Sequence, residues 1–458
     1  MTFNELFSNV DILKSLQDLG YDSPTPIQQK AIPLIMEGKD VRASSKTGSG
    51  KTAAFTLPAL VRLLEGKEKK EKGIKILILV PTRELALQVS QEAVKFTKYL
   101  PQVKTVCIYG GAPYPPQIRQ LQKPFDILVA TPGRLMDHMQ KERIDLSHLK
   151  LLVLDEADRM LDMGFIDDVE QIAEATPEDR QTVLFSATLK GPVLKLSQHL
   201  MKDPVEIEVV HSNEELTKIE QKICRVNNID HKYKLINHFL AQPDVSQMII
   251  FTSTKQQADV LADLLKDAGE SVCSLHGGMR QEKRTKTIMR LRQGKIKALV
   301  ATDVAARGID IPAISHVINF DLPFQIEDYV HRIGRTGRAG ASGVAISLVS
   351  NRDLPLVKQI EKFTKRMIPT VIVEGLEFKE EKKKPSVAPK PYKKPSFNAD
   401  KEPFPRKPFS KPKTVEKKKS ASFGHPKPFA NKKKYDKGPS DSPKYFPRDT
   451  KKKQTKRF

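Results

Sequence analysis

Cysteine is scarce. Cys107, Cys224 and Cys273 are the only three in 458 residues, and no two stand at a metal-ligand or redox spacing. That spacing gives no disulfide framework, zinc cluster or Cys-x-x-Cys site, and it fits free thiols in a reducing compartment. Long apolar runs are also missing. Stretches such as KILILVP and LLVLDEAD fall far short of the roughly 20 residues that a membrane helix needs. The start, MTFNELFSNV, lacks the charged-then-apolar segment of a secretory signal. Tryptophan is absent, which by itself excludes nothing. Together these absences predict a soluble protein of the cell interior.

What is abundant is positive charge, concentrated in one place. The net charge is +23, and residues 379–458 hold 27 Lys and Arg against 8 Asp and Glu. The first 378 residues therefore carry only about +4. A nearly neutral body with a polycationic tail predicts an acidic partner, most often nucleic acid.

Over most of the first 375 residues, short β-branched runs alternate with helical patterns. Strands are expected at 75–80, 103–109, 126–131, 151–156 and 182–187, then at 248–253, 271–276, 297–302, 316–321 and 344–350. A helix is expected over 83–99, with Leu85, Val89 and Phe96 apolar. Continuous apolar strands separated by helices indicate parallel sheets covered on both faces. The fold class is α/β, with two domains of similar build at 1–207 and 218–376, joined by a linker at 208–217. From 377 to 458 Lys, Pro and Ser dominate, with KPF at 407–409 and 427–429, and disorder is expected.

The stretch SKTGSGKT (45–52) is either a plain glycine turn or a phosphate loop. It departs from the usual G-x-x-x-x-G-K-[ST] pattern, because Ser45 holds the first glycine position. DVRASS before it can be a strand and KTAAFTLPAL after it a helix. Backbone N–H groups of such a turn can wrap a phosphate at a helix N-terminus. Lys51 then reaches the β- and γ-phosphates of ATP, and the Thr52 hydroxyl serves Mg²⁺. In LLVLDEAD, acidic residues follow an apolar strand, at the end where α/β sheets bind ligands. A solvated acidic turn is the plain alternative. Asp155 is the candidate for the Mg²⁺ water shell, and Glu156 for orienting and deprotonating a water. In YVHRIGRTGRAG (329–340), Arg332, Arg335 and Arg338 recur every three residues. On a helix they would be neighbours. As a basic surface helix they need no ligand. As phosphoryl-transfer groups they require ATP in a cleft between the domains.

The sequence DEAD at 155–158 carries a resemblance to the DEAD-box RNA helicases of superfamily two, with motifs in the family's order over about residues 1 to 375. GYDSPTPIQ (20–28) resembles the adenine-recognition motif. The resemblance implies that Gln28 bonds the adenine edge and that Tyr21 stacks on it, with Phe3 at the upstream aromatic position. It implies nucleotide contacts from Ser45, Lys46, Thr47, Gly48, Ser49, Gly50, Lys51 and Thr52, and from Asp310 near the ribose. Lys46 and Ser45 stand where the family more often has glutamine and alanine. PTRELA (81–86), GG (110–111) and TPGR (131–134) resemble first-domain RNA contacts, implying roles for Pro81, Thr82, Arg83, Gly111, Thr131 and Arg134. FTST, HGGMRQEKR and ATDVAARGID resemble second-domain motifs, implying RNA contacts from Thr254, Gly277, Arg284 and Thr302. They also imply that Asp303, Arg307 and Gly308 meet both ligands. SAT (186–188) and His331 match the coupling motifs, which implicates Ser186 and Thr188. Arg335 and Arg338 match the arginine fingers.

The resemblance implies two RecA-like domains and a cytoplasmic, monomeric ATP hydrolase that unwinds RNA locally and non-processively. Ribosome-assembly or RNA-decay proteins are its family-level partners, and no membrane is involved. A compact core with a basic tail resembles bacterial members of the RhlE type. The tail aromatics, Tyr392, Phe397, Phe404, Phe409, Phe423, Phe429, Tyr435 and Tyr445, stand among lysines and can stack on unpaired bases. A solubilising tail or an import signal is the plain alternative. The rival functions are an ATP-gated RNA clamp with little unwinding, an RNA chaperone with an idle core, and a DNA helicase.

Overall fold

The computed structural model describes residues 1–45, 48–65, 73–209, 218–306, 314–337 and 342–379. Of the expected linker at 208–217, residues 210–217 lie outside the described residues, as does the expected tail of 377–458 from 380 onward.

Two parallel sheets organise the chain. The first has seven strands: β1 (Val41–Ser44), β2 (Ile76–Leu79), β3 (Thr105–Ile108), β4 (Ile127–Ala130), β5 (Leu151–Leu154), β6 (Gln181–Ser186) and β7 (Val205–Glu208). Their order is β3-β4-β2-β5-β6-β1-β7. The second has six: β8 (Ile219–Arg225), β9 (Met248–Phe251), β10 (Val272–Leu275), β11 (Ala298–Ala301), β12 (His316–Asn319) and β13 (Gly343–Val349), in the order β10-β11-β9-β12-β13-β8. Every paired strand runs parallel. All ten expected strands are present.

The unforeseen strands are edges. β7 and β8 have every second residue exposed or half-exposed over much of their length, so neither reads as an apolar run. The central strands β2, β4, β5, β9, β11 and β12 are buried throughout, as sheets covered on both faces require. Each sheet carries a separate apolar core on either face.

Local chemistry sets the helix starts that matter for the site. Thr82 opens the helix Arg83–Phe96 by accepting from Leu85 N–H at 3.3 Å, and Thr254 opens Lys255–Asp267 by accepting from Gln257 N–H at 3.2 Å. Both caps follow the C-terminal end of a buried strand. The helices therefore begin where the ligand-facing rims of the two sheets lie.

Candidate functional site

The phosphate loop sits between β1 and the helix Lys51–Glu65, as the strand-turn-helix reading requires. Ser45 N–H donates to Ser186 O on β6 at 2.9 Å, and the Ser45 and Ser49 hydroxyls are 2.5 Å apart. Gly50 has φ +90°, and a Cβ there would lie 2.4 Å from Gln28 Nε2, so glycine is required on both counts. Lys46 and Thr47 lie outside the described residues.

Gln28 is 1% exposed and braces this loop. Its Nε2 donates to Gly50 O at 3.0 Å, and its Oε1 accepts from Thr25 N–H at 2.9 Å. The Thr25 hydroxyl donates to Ser49 O at 2.8 Å. The adenine motif is thus tied to the phosphate loop through two side chains. Tyr21 packs edge-on against Phe96, with centroids 5.9 Å apart, and tilts against Phe3 at 6.3 Å. Phe3 itself is buried and stacks on Phe7, so it backs Tyr21 from the core.

Lys51, Asp155 and Glu156 meet at the ends of β1 and β5. Lys51 Nζ is 3.4 Å from Asp155 Oδ1, with both side chains buried. Burial opposes the Lys51 charge, but the carboxylates of Asp155, Glu156 and Asp158 outweigh it and hold its pKa above the usual lysine value. Glu156 moves the other way: burial raises its pKa, against the pull of Lys51. Its backbone is left-handed at φ 56°, a strained conformation for glutamate at the end of β5. Asp155 Oδ1 is buried and its one close polar neighbour among the described residues is the Lys51 ammonium at 3.4 Å, too long for a strong hydrogen bond. That long contact leaves carboxylate lone pairs open, so the oxygen donor set of Asp155 and the half-buried Thr52 fits Mg²⁺. At the end of β6, the Ser186 hydroxyl donates to Thr188 O at 2.7 Å and accepts from Thr188 N–H at 3.2 Å.

The second lobe closes on this site through Arg159, three residues beyond Glu156. Its guanidinium donates to Asp328 Oδ1 at 2.5 Å, to Asp162 Oδ2 at 3.0 Å and to His331 Nδ1. Burial and the neighbouring Arg159 lower the His331 pKa, against the pull of Asp328. The ring therefore accepts from the guanidinium as a neutral imidazole. Sequence reading passed over Arg159 because its partners in the other lobe lie more than 160 residues away.

The expected row of three helical arginines is corrected. The helix ends at Ile333. Arg332, 2% exposed, is consumed inside its own lobe by both Asp303 oxygens (2.6 and 2.7 Å), Asn319 Oδ1 (3.1 Å) and Asp321 O (2.5 Å). Arg335 lies past the helix end, where its charge acts on Glu156 across the lobes. Arg338, Arg307, Gly308 and Asp310 lie outside the described residues.

A second cleft, of about 260 Å³, also spans both lobes. It gathers Pro81, Thr82, Arg83, Thr131 and Arg134 from the first lobe with Gly277 and Arg284 from the second. Its apolar wall is Met163, Phe165 and Val304; Val304 lies in the ATDVAARGID motif but was not singled out, and Met163 and Phe165 carried no expectation. Gly111, Thr254 and Thr302 are not among its lining residues; Thr254 is exposed at its helix cap, and Gly111 lies under the Arg83 guanidinium. Across this cleft Glu84 Oε1 accepts from Arg284 Nε at 2.8 Å and from Gln281 Nε2 at 3.0 Å.

The cleft arginines differ. Both terminal nitrogens of Arg134 donate to Ala112 O, at 3.1 and 3.2 Å, so this guanidinium holds the glycine loop. Arg284 is divided between Glu84 and His276 O (3.0 Å). Arg83 makes no hydrogen bond or ion pair among the described residues. Burial and the like charges of Arg284 and Arg134 press its pKa down, against Glu84 and Tyr109. An anion bound there would relieve that repulsion.

Comparison with known proteins covers both lobes. Residues 25–196 match the DEAD/DEAH box helicase family, and residues 231–340 match the helicase conserved C-terminal domain. The chain is 45% identical over 376 residues to the ATP-dependent RNA helicase SrmB of Escherichia coli, covering 82% of this chain and 84% of that protein. It is 42% identical over 361 residues to the DEAD-box ATP-dependent RNA helicase RhpA of Helicobacter pylori, covering 79% and 72%. Among solved structures it resembles S. cerevisiae Dbp5 bound to RNA and ADP BeF3, with a TM-score of 0.73, 33% identity, and 81% and 95% coverage. It also resembles Mss116 bound to ssRNA and UDP-BeF, with a TM-score of 0.75, 30% identity, and 82% and 81% coverage. With paired RecA-like sheets, the acidic pair after β5 and relatives matched through both lobes, this chain belongs to the DEAD-box family of ATP-dependent RNA helicases.

Proposed function

We propose that the protein couples ATP binding and hydrolysis to local, non-processive unwinding of RNA duplexes and remodelling of RNA–protein complexes. The observation that carries this reading is the shared interlobe seam. Arg159–Asp328 joins the lobes beside the nucleotide residues, and Glu84–Arg284 joins them beside the arginine-lined cleft. A ligand at either place stabilises the same closed arrangement, so ATP and RNA reinforce each other through one equilibrium.

In this reading Lys51 neutralises the β- and γ-phosphates, and Gln28 keeps the loop in register while Tyr21 flanks the base. Glu156 accepts the proton of the attacking water, and Arg335 with Arg338 offsets charge on the transferring group. Asp155 and Thr52 would hold Mg²⁺, which supplies charge neutralisation at the phosphate oxygens. Arg83 and the Thr82 and Thr131 hydroxyls meet the RNA backbone, which positions a strand without reading its sequence. Ser186 and Thr188 lie one hydrogen bond from the phosphate loop, the route by which hydrolysis reaches the seam.

The test is ATP turnover with and without single-stranded RNA, beside Glu156→Gln. Turnover stimulated by RNA and abolished in the variant is expected; turnover indifferent to RNA would overturn the coupling. A duplex-release assay then separates unwinding from a clamp that only holds. A monomeric, cytoplasmic protein, with ribosome-assembly or RNA-decay partners and an RhlE-type tail, belongs to the same reading. No helix among the described residues is long and apolar enough to cross a membrane.

A further inference from the structure

The body's charge is unevenly placed. Between Arg280 and Lys297 stand eight basic residues and one acidic residue, a net +7. Residues 1–378 together carry about +4, so the remainder of the body is net negative. Most of this segment is the helix Gln281–Arg292, whose first turns place Arg284 in the cleft wall and Gln281 on Glu84.

The helix divides its cations between two jobs. Arg284, 4% exposed, faces the seam and is neutralised by Glu84. Lys283, Lys286 and Arg290 are exposed, and their spacing of three and four residues sets them in one stripe on the outer face. At 1.5 Å per residue the stripe runs about 10 Å away from the cleft. Lys283 and Lys286 make no hydrogen bond or ion pair among the described residues. The Asp259 carboxylate near Lys283 is already engaged by Ser274 at 2.6 Å and His276 at 2.9 Å. Among the described residues the Arg290 guanidinium has only the Cys273 sulfur, at 3.7 Å. Exposed Glu282 stands one turn before Lys286 but forms no ion pair with it among the described residues, so three cations face one acid on a stripe that abuts the cleft.

We propose that Lys283, Lys286 and Arg290 form a second RNA track, holding the phosphates of the strand that continues out of the cleft over the second lobe. The inference rests on the RNA-cleft reading above and adds a contact beyond it. The clamp fixes a few nucleotides, and the stripe supplies backbone affinity for longer RNA without any base contact.

The test uses the full chain with a non-hydrolysable ATP analogue and two fluorescent oligouridylates. One has about six nucleotides, near the low end of single-strand site sizes, and the other is several times longer. The variant replaces Lys283, Lys286 and Arg290 with glutamine, all at exposed positions outside the clamp. The short RNA should bind as in the unmodified protein. The longer RNA should weaken by about 3–10-fold, and its log K against log salt slope should flatten by about 2, from three lost phosphate contacts. Equal losses for both RNAs would mean the stripe acts through Arg284 and would overturn the proposal. No loss for either would leave a solvated face and overturn it as well. Weaker binding of polyglutamate with RNA binding intact would assign the stripe to a protein partner instead. Failure of the unmodified protein to bind even the short RNA would count against the function reading, separately from these outcomes.

Discussion

Arg159 Nη1 lies 2.5 Å from Asp328 Oδ1, and this buried pair fastens the residues after the acidic motif of one lobe to the last helix motif of the other. The lysine that would grip ATP and the aspartate that would seat its metal lie on the same side of that fastening. Closure and nucleotide chemistry therefore share one boundary.

Arg159→Ala should uncouple the lobes. Removing one member of a buried ion pair costs about 3–5 kcal/mol, because the other charge stays desolvated. RNA-stimulated turnover should fall by about 100-fold or more, while nucleotide affinity of the isolated first lobe's site changes little. A double-mutant cycle with Asp328→Ala should give a coupling of about 1–3 kcal/mol. A coupling near zero would show that the pair does not govern closure.

Glu156→Gln should abolish turnover yet leave ATP binding and thermal stability intact, because it replaces a buried carboxylate with a neutral isostere. The raised pKa of Glu156 gives the pH profile its sign. The base works as carboxylate and is lost as pH falls through its folded pKa. The acid limb of kcat should therefore lie above the usual glutamate range, measurable as a titration of single-turnover rates. An acid limb at an ordinary glutamate position would show the carboxylate to be solvated during turnover.

Gln28→Ala should weaken binding of ATP and GTP alike, by about tenfold each, the equivalent of roughly 1.4 kcal/mol. The amide bonds Gly50 and Thr25 rather than standing free, so its loss loosens the loop under any base. A selective loss of ATP, measured by competition against a fluorescent nucleotide, would mean the amide leaves the loop to read adenine.

Gly111→Ala should weaken RNA binding and spare ATP binding. The glycine has φ +76°, and a Cβ would lie 2.2 Å from Arg83 Nη1, so the uncommitted guanidinium of the cleft must move. The backbone strain alone is about 1–2 kcal/mol. RNA titrations of the ATPase should show a higher half-maximal RNA concentration with kcat nearly preserved.

A chain ending at Glu377 should keep its ATPase but need more RNA for half-maximal stimulation at low salt. The removed segment carries most of the positive charge, and phosphate contacts made by lysine are steeply salt-dependent. An unchanged RNA requirement would assign the tail to solubility.

The sequence was enough for everything that depends on neighbours along the chain. Buried parallel strands announce themselves as apolar runs, so all ten strands expected on that signal were found, while the half-exposed edges β7 and β8 were not. The strand-turn-helix around SKTGSGKT and the acidic pair after LLVL follow from local pattern alone, because strand ends place such residues at a sheet's ligand-binding rim. Residues of one type, however, cannot be told apart by sequence when their partners are distant. Arg332 and Arg335 look alike in YVHRIGRTGR, yet one is spent on Asp303 and the other lies past the helix end, where its charge acts on Glu156. Arg83 and Arg134 both lie in cleft motifs, yet only Arg134 has its charge engaged by a loop carbonyl. Arg159 carried no expectation at all. Local propensity places a side chain on a face, but its partner is chosen by residues 169 and 200 positions away for Arg159–Asp328 and Glu84–Arg284, and only the folded lobes bring those within hydrogen-bond reach.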